Sequence, residues 1–497
     1  MATTDNQIQY AGEYKVEKLK LHTARGSYDL TKTFVQIDLF ENIFSHSMSG
    51  SLIFIDTDNL VINSPIVGQE YLELKISSPG IAGADSIDFS ENVLSIYKIG
   101  YVSDVSKSSQ MIEVHLISPE FLKNQRLRVS KSYQVKTNDQ IIEDVLTNTE
   151  YIDTKKNVFI EPTKGSRNII SPNYHPFDLI KILTTESNNT SFINSEVNFH
   201  VFYENTQGYH FKSLSHLFSR PTNGDFHCGD VSTIEKDGKD TEDFTRVIQH
   251  QRSNSNDMLQ NIVSGLLGSN LTIHDLYSKK YENYGYNYFD SFSDGFPRID
   301  SNPVYYDDFI DNKNRTVGDF SNARIHLSSR SGQATGPARN RGNKSFFGAG
   351  FIEAREPIMD QDYKTQSRNQ GDISSLGMGK QLLARRAKFA ELSSLINYNI
   401  KVTGHTSMRV GEMINFSVPT VGHEHGEGGE DKYLSGRYLV KQLRHTFYRS
   451  PKKHEVSMSI SKDSLGSSLP KGDIVQPEKT GKAFITRVRN VVYTARD

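Results

Sequence analysis

Four stretches between residues 394 and 461 alternate apolar with polar side chains: 396–402, 410–419, 438–447 and 454–460. Apolar groups at every second position, as at Ile396, Tyr398, Ile400 and Val402, give a strand one dry face and one wet face. Strands packed so closely along the chain predict an antiparallel sheet that curls into a small barrel.

An earlier region carries a related pattern. Residues 67–76, opening on Val67, Gly68 and Gln69, parallel the strand that opens on Val410, Gly411 and Glu412. Residues 97–102 parallel the strand from Tyr438, and 111–116 parallel the strand around Val456. The spacings agree as well, roughly 30 and then 17 residues in the first copy against roughly 28 and 18 in the second. The expectation is a mainly β chain with α+β insertions, holding two similar antiparallel β-barrel domains.

Between the copies the pattern changes. Thr137 and Gln140 form a capping-box spacing ahead of Ile141, Ile142, Val145 and Leu146, which predicts an amphipathic helix. Pro176 at a first helical turn, followed by Phe177, Leu179, Ile180 and Leu183, predicts a second. Residues 199–211 read as a hairpin, 258–266 as a further helix or bent strand, and 381–390 as a helix feeding the second copy. The expected organisation is an arm (1–13), a first barrel (14–130), an α+β insertion (131–243), the start of the second barrel region (244–280), a polar, aromatic-rich insertion (281–378), a helix with the second barrel (379–465) and an extended tail (466–497).

Composition excludes several function classes. Fifty-seven Lys+Arg face 59 Asp+Glu, so no strong field selects nucleic acid or an anionic surface as a tight partner. The apolar runs, such as 262–263 and 265–268, are too short to cross a bilayer, and the N-terminus lacks the segments of a signal peptide. A soluble protein of a cytosol-like space is expected. The single cysteine, Cys228, excludes an intrachain disulfide framework, and its polar surroundings give it no marked cationic activation.

Chemical motifs are sparse. His423 and His425 share one face if extended, but they sit in a Gly- and Glu-rich loop whose plain reading is solvated. His210 and His216 read as sheet and turn residues. Tyr305, Tyr306, Asp307, Asp308 and Asp311 combine aromatic faces with carboxylates, as sugar binding or glycoside hydrolysis requires; interface or packing is the plainer role. Arg324, Arg330, Arg339, Arg341 and Lys344 lie among Gly and Ser without interleaved aromatics, which favours a solvated loop over a phosphate site. No nucleophile elbow, P-loop, dinucleotide fingerprint or zinc-protease motif occurs. No catalytic, cofactor-binding or metal-binding residue is assigned. In the tail, Phe484, Ile485, Val488, Val491, Val492 and Tyr493 form a β-prone patch expected to add as a strand to a partner's exposed sheet edge.

Several segments together resemble one family. They are Val410, Gly411 and Glu412; the run 435–440 (Ser, Gly, Arg, Tyr, Leu, Val) followed by His445; the strand ending in Asp463 and Ser464; and the helix and hairpin from Pro176 to Leu214. Over most of 14–275 and 379–465 the chain resembles the baseplate central hub protein of contractile-tailed phages, and it is similar to the N-terminal part of type VI secretion spike proteins. Residues 281–375 and the tail beyond Pro470 have no counterpart in that likeness.

The resemblance implies a structural protein, not an enzyme, located in the virion's tail baseplate and assembled in the host cytoplasm. It implies a homotrimer whose two barrels per copy make a pseudo-six-fold ring, adapting a three-fold spike to a six-fold tube. Implied partners are the central spike protein, the tail tube or its initiator, and baseplate wedge proteins. DNA would pass only transiently through the lumen, without membrane insertion. The competing expectation is a carbohydrate-active tail enzyme or glycan-binding tail module that uses 281–311.

Overall fold

A computed structural model describes the chain except residues 1–10, 58–59, 80–84, 108, 190–198, 229–244, 254–255, 276–279, 294–295, 307–322, 331–378, 421–429 and 470–497. The first module contains β1 (Lys15–Thr23), β2 (Gly26–Asp29), β3 (Phe34–Asn42), β4 (Ser49–Asp56), the single turn α1 (Leu60–Asn63), β5 (Tyr71–Ser77), β6 (Ile87–Ser106) and β7 (Ser109–Ile117). The insertion follows with α2 (Pro119–Arg126), β8 (Val129–Thr137), α3 (Asn138–Thr147), β9 (Asn157–Ile160), β10 (Thr163–Lys164), β11 (Ser166–Tyr174), α4 (Pro176–Thr185), β12 (Asn188–Asn189), β13 (His200–Asn205), β14 (Gly208–Ser213) and α5 (Leu214–Ser219). The remainder comprises β15 (Thr222–His227), β16 (Val247–Ser253), α6 (Met258–Ser264), β17 (Gly268–Asp275), β18 (Lys280–Asn287), α7 (Asp290–Ser293), β19 (Ile325–Arg330), α8 (Gly379–Ser394), β20 (Ile396–Thr403), β21 (Met413–Ser417), β22 (Gly436–Tyr448) and β23 (Lys453–Lys462). The chain is mainly antiparallel β with few helices.

One 13-stranded sheet contains two runs of six strands with the same connectivity. The first follows β1-β5-β6-β7-β4-β3 and the second β15-β21-β22-β23-β20-β16. With β2 set aside, each run visits its strands in the chain order 1-4-5-6-3-2. The irregularities repeat too. The β3–β4 ladder slips between Phe34 and Gln36, and β16–β20 between Val247 and Gln249. The β6–β7 ladder slips between Ile96 and Lys98, and β22–β23 between Val440 and Gln442. Bulges set local twist and register, so their recurrence at matching rungs is a stronger sign of repetition than weak residue identity. The runs differ at one end, where β1 is antiparallel to β5 but β15 is parallel to β21. In the second run the ends meet, His227 forming a parallel bridge with Arg246.

The matching Val-Gly segments begin later as strands than the alternation suggests. Residues 67–70 form a turn in which the Glu70 carboxylate accepts from the N–H groups of Val67, Gly68 and Gln69 at 2.9, 2.8 and 3.0 Å. Three backbone donors converging on one side chain favour the turn over extension, so β5 starts at Tyr71. The carbonyls of Glu70 and Glu412 then accept from Ile96 and Val440, each at 2.9 Å, at the same point of the two modules. Gly411 has φ +77°, and a Cβ there would lie 2.2 Å from the Tyr203 hydroxyl, which requires glycine at this position.

The two modules share β22. Its Tyr438, Leu439, Val440 and Leu443 enter the second module's core, whereas Phe447 enters the first module's. Burying a ring such as Phe447 is worth about 2–3 kcal/mol, so the strand holds both cores at once. The insertion has a third core, built from α3 (Ile141, Ile142, Val145, Leu146), α4 (Phe177, Leu179, Ile180, Leu183) and the hairpin β13–β14. Gln140 Oε1 accepts from the Thr137 N–H at 3.3 Å, the backward half of the capping pair read from the sequence.

Candidate functional site

The joined sheet presents one polar face across eight consecutive strands, β16-β20-β23-β22-β3-β4-β7-β6. Its register places Gln251, Asn399, Ser459, Gln442 and Asn42 side by side on five of them. Another rung runs Glu455, Thr446, Asp38, Ser51, His115 and Lys98. Because strand side chains alternate, the intervening residues Tyr398, Ile400, Leu443, Leu39 and Leu52 fill the cores behind. The polar face is hollowed where the modules meet, with a concavity of about 530 Å³ lined by Phe40, Gln249, Asn399, Gln442, Arg444 and Ser459 among others.

Charges on this face are paired. Arg444 donates from Nε and Nη2 to the two Asp38 oxygens, each at 3.0 Å, and Asp38 also accepts from the Thr446 hydroxyl at 2.8 Å. The hydrogen bonds to Asp38 raise the Arg444 pKa above its usual value. Glu455 lies 2.6 Å from Lys401 and 2.8 Å from Lys453. Burial pushes its carboxyl up, but the hydrogen bonds of the two lysines outweigh this and hold it below the usual carboxylate range.

Buried carboxylates lock the sheet to its insertion. Glu41 on β3 accepts from the N–H of Thr206 at 2.8 Å and of Val410 at 2.9 Å, so one side chain ties the first module, the insertion and the second module. Burial raises its pKa to about 7 against those two donors. Glu204 accepts from the Met48 N–H, the Ser118 hydroxyl and Lys156, at 2.9, 2.8 and 2.6 Å. Lys156 also reaches Glu120 at 2.8 Å.

The residues that carried the family likeness have structural tasks. The Asp463 carboxylate takes Lys388 and the Ile299 N–H, the latter at 3.1 Å, while Ser464 Oγ accepts from the Asp300 N–H at 2.7 Å. Lys388 and Arg298 both also meet Glu391, at 3.0 and 3.1 Å, and all four charged side chains are buried. Burial raises the Asp463 pKa, yet Lys388 and Arg298 outweigh it and depress it. This cluster anchors 286–305 and α8 to the end of β23. Arg437 donates to the carbonyls of Phe218 and Arg220, and the Tyr438 hydroxyl donates to Leu434 O at 2.6 Å. Asp463→Ala leaves buried Lys388 short of a counter-charge, and we expect about 3–5 kcal/mol of lost stability, read as a lowered denaturant midpoint at pH 7. An unchanged midpoint would show that the cluster carries no stability.

The tail residues Phe484, Ile485, Val488, Val491, Val492 and Tyr493 lie outside the described residues, as do His423, His425, Asp307, Asp308, Asp311, Arg339, Arg341 and Lys344. His210 is buried between the rings of Tyr203 and Phe159, at 5.1 and 4.7 Å, and burial lowers its pKa to about 3. Burial lowers that of His216 as well. Cys228 Sγ is 3.3 Å from His250 Nδ1, but burial pushes the thiol up, away from the thiolate. In the described part of the aromatic tract, Tyr286 and Tyr288 are buried in the second module's core, and Tyr305 packs partly buried against it. Among the described residues no group of three or more His, Cys, Asp or Glu could hold a metal ion. No helix there is long and apolar enough to cross a membrane. What sequence reasoning missed is the polar face itself, because its rungs join residues hundreds of positions apart.

No known family's sequence profile matches the chain, and no curated protein does. Solved structures do. A tail protein from Neisseria meningitidis aligns with TM-score 0.47 and 8% identity over 92% of this chain and 100% of that one. A 43 kDa tail protein of a Shewanella oneidensis prophage aligns with TM-score 0.46 and 11% identity over 90% and 98%. An Escherichia coli protein, described as a type VI secretion component structurally similar to the T4 tail proteins gp27 and gp5, gives 0.41 and 9% over 94% and 81%. The structural neighbours of this chain are phage tail and type VI secretion proteins.

Proposed function

We propose that this protein is a structural baseplate hub that joins a three-fold spike to a six-fold tail tube around a passage for DNA. The observation that carries the reading is the doubled 1-4-5-6-3-2 connectivity, with the end strand β3 of one copy paired to the second half of β22 in the other. Each run of six strands is a barrel-like module. Three copies of such a chain offer six similar modules, which is how three-fold and six-fold partners can meet at one ring.

The polar face supplies the passage. Turned toward the ring axis, it presents amides, hydroxyls and paired charges. A wall with an unpaired row of cations would hold phosphates through many counterion-releasing contacts; amides and neutralised pairs let a duplex slide. The buried state of Tyr286 and Tyr288 favours packing over the carbohydrate-binding alternative, since those rings offer no free face to a sugar. The partners in this reading are the central spike, the tube or its initiator, and the surrounding wedge proteins.

Mass photometry of the full-length chain tests the reading. We expect a trimer, with mass three times the 56.2 kDa of one chain. A monomer at every concentration, unchanged when spike protein is added, would remove it.

A further inference from the structure

Within one chain, β3 pairs on one side with β4 and on the other with β22. The counterpart of β3 in the second module is β16, and the counterpart of β22 in the first is β6. Neither counterpart has its matching partner. Past Ile96, β6 pairs only with β7 among the described residues, whereas β22 past Val440 has β23 on one side and β3 on the other. Among the described residues, strand β16 pairs only with β20, beyond the bridge at its entry between Arg246 and His227. Both open edges carry exposed apolar groups: Tyr101 (42%), Val102 (46%) and Val105 (52%) on β6, and Ile248 (48%) on β16. An unprotected edge of this kind is a template for another strand.

We infer that β6 of one copy pairs antiparallel with β16 of a second copy, repeating between chains the junction that β22 and β3 make within one; this rests on the ring reading above. The internal junction sets the register. Phe447 stands opposite Ile37, Thr446 opposite Asp38 and His445 opposite Leu39. Phe447 faces His454 as Asp104 faces Gln110, and Ile37 faces Leu52 as His250 faces Ile400. Transferring the rungs puts Asp104 opposite His250, Ser103 opposite Gln251 and Val102 opposite Arg252 of the second copy. A carboxylate opposite an imidazole at the first of these rungs is a polar cross-strand pair able to hydrogen-bond, which favours the pairing. The β6 and β16 edges are different surfaces of one chain, so the contact is head-to-tail and closes into a ring or runs on as a filament. The occupant is a second copy because this chain already contains the same contact between the same two kinds of edge.

Cysteine pairs test the register. Directly opposed residues in an antiparallel ladder have Cα atoms about 4.5–5.5 Å apart, within reach of a disulfide. In a full-length Cys228→Ser background, mild oxidation of Ser103→Cys with Gln251→Cys is expected to give covalent dimers and trimers and nothing larger. Asp104→Cys with His250→Cys, one rung away, is expected to do the same, and each single substitution gives neither. Pairing Gln251→Cys with Ser27→Cys probes the rival contact, since β2 is the other end of the sheet. Cross-linking there, or a ladder beyond three, overturns the inference. A chain that is trimeric without oxidant yet links at neither predicted rung also overturns it and leaves the ring reading standing. A chain that stays monomeric removes both.

Discussion

Arginine at Gln442, Asn399 and Ser457 converts this protein into a salt-sensitive binder of duplex DNA. All three side chains are exposed on the polar face, so the triple variant is expected to fold as the wild type does, surface changes of this kind usually staying within about 0.5 kcal/mol each. In the ring proposed above, three copies would carry roughly nine added cations around one passage. Each phosphate neutralised steepens the fall of log K with log salt by about 0.9, and 6–10 contacts weaken binding by about 10³- to 10⁵-fold between 50 and 200 mM salt. Fluorescence anisotropy with a short duplex reads the slope directly. We expect a shallow slope for the wild type and one several units steeper for the variant. A slope of about 3 would mean that each chain binds alone and that its polar face does not line a shared channel.

The strands of this face were readable from alternation, since Ile396, Tyr398, Ile400 and Val402 fill a core while Asn399 and Lys401 face out. The repeat was readable as well, because the Val-Gly segments precede equivalent strands in both modules. Their exact start was not. Glu70 turns its carboxylate back on three N–H groups, and such side-chain capture leaves no mark on the hydropathy pattern. The junction between β22 and β3 was invisible for a different reason. Residues 36–42 and 442–448 pair across the whole chain, and register between distant strands is set by packing, not by local sequence. Asp463 and Ser464 stood out only as a family mark; their task depends on Lys388, Arg298 and the backbone at 299–300, which sequence does not bring together. Tyr286 and Tyr288 fall in the stretch read as a polar, aromatic-rich insertion. Their burial becomes possible because Tyr288 Oη accepts from the Val304 N–H at 3.0 Å and Tyr286 Oη donates to Glu391 at 3.3 Å.

Acid weakens the fold between pH 6.5 and about 4, through three histidines packed where β22 and β23 enter the first module. His445 and His454 face each other with Nδ1 and Nε2 3.0 Å apart, the His454 ring stacks on Phe447 at 4.1 Å, and His405 Nδ1 lies 2.6 Å from Ser407 Oγ. Burial lowers the pKa of His445 to about 3 and of His405 to about 4, and drives His454 well below its ordinary value. Above pH 6.5 these rings are neutral in both states and have no effect. Below it the unfolded chain takes up protons that the fold refuses, so each ring costs about 1.4 kcal/mol per pH unit, or about 2 kcal/mol at pH 5. Glu41 works the other way: its raised pKa stabilises the fold below about 4.5, an advantage lost as pH rises through about 7. Burial also raises the Glu412 pKa, which adds to this offset, while His210 and His216, lowered by burial as the three rings are, add to the acid cost, so the imidazoles outnumber the carboxyls and set the sign. Chemical denaturation of the full-length chain is therefore expected to show a clearly lower midpoint at pH 5 than at pH 7. His454→Gln removes one titrating ring and is expected to flatten that slope by about 1.4 kcal/mol per pH unit, whatever it does to stability at pH 7. An identical pH slope in variant and wild type would mean that His454 is not held neutral.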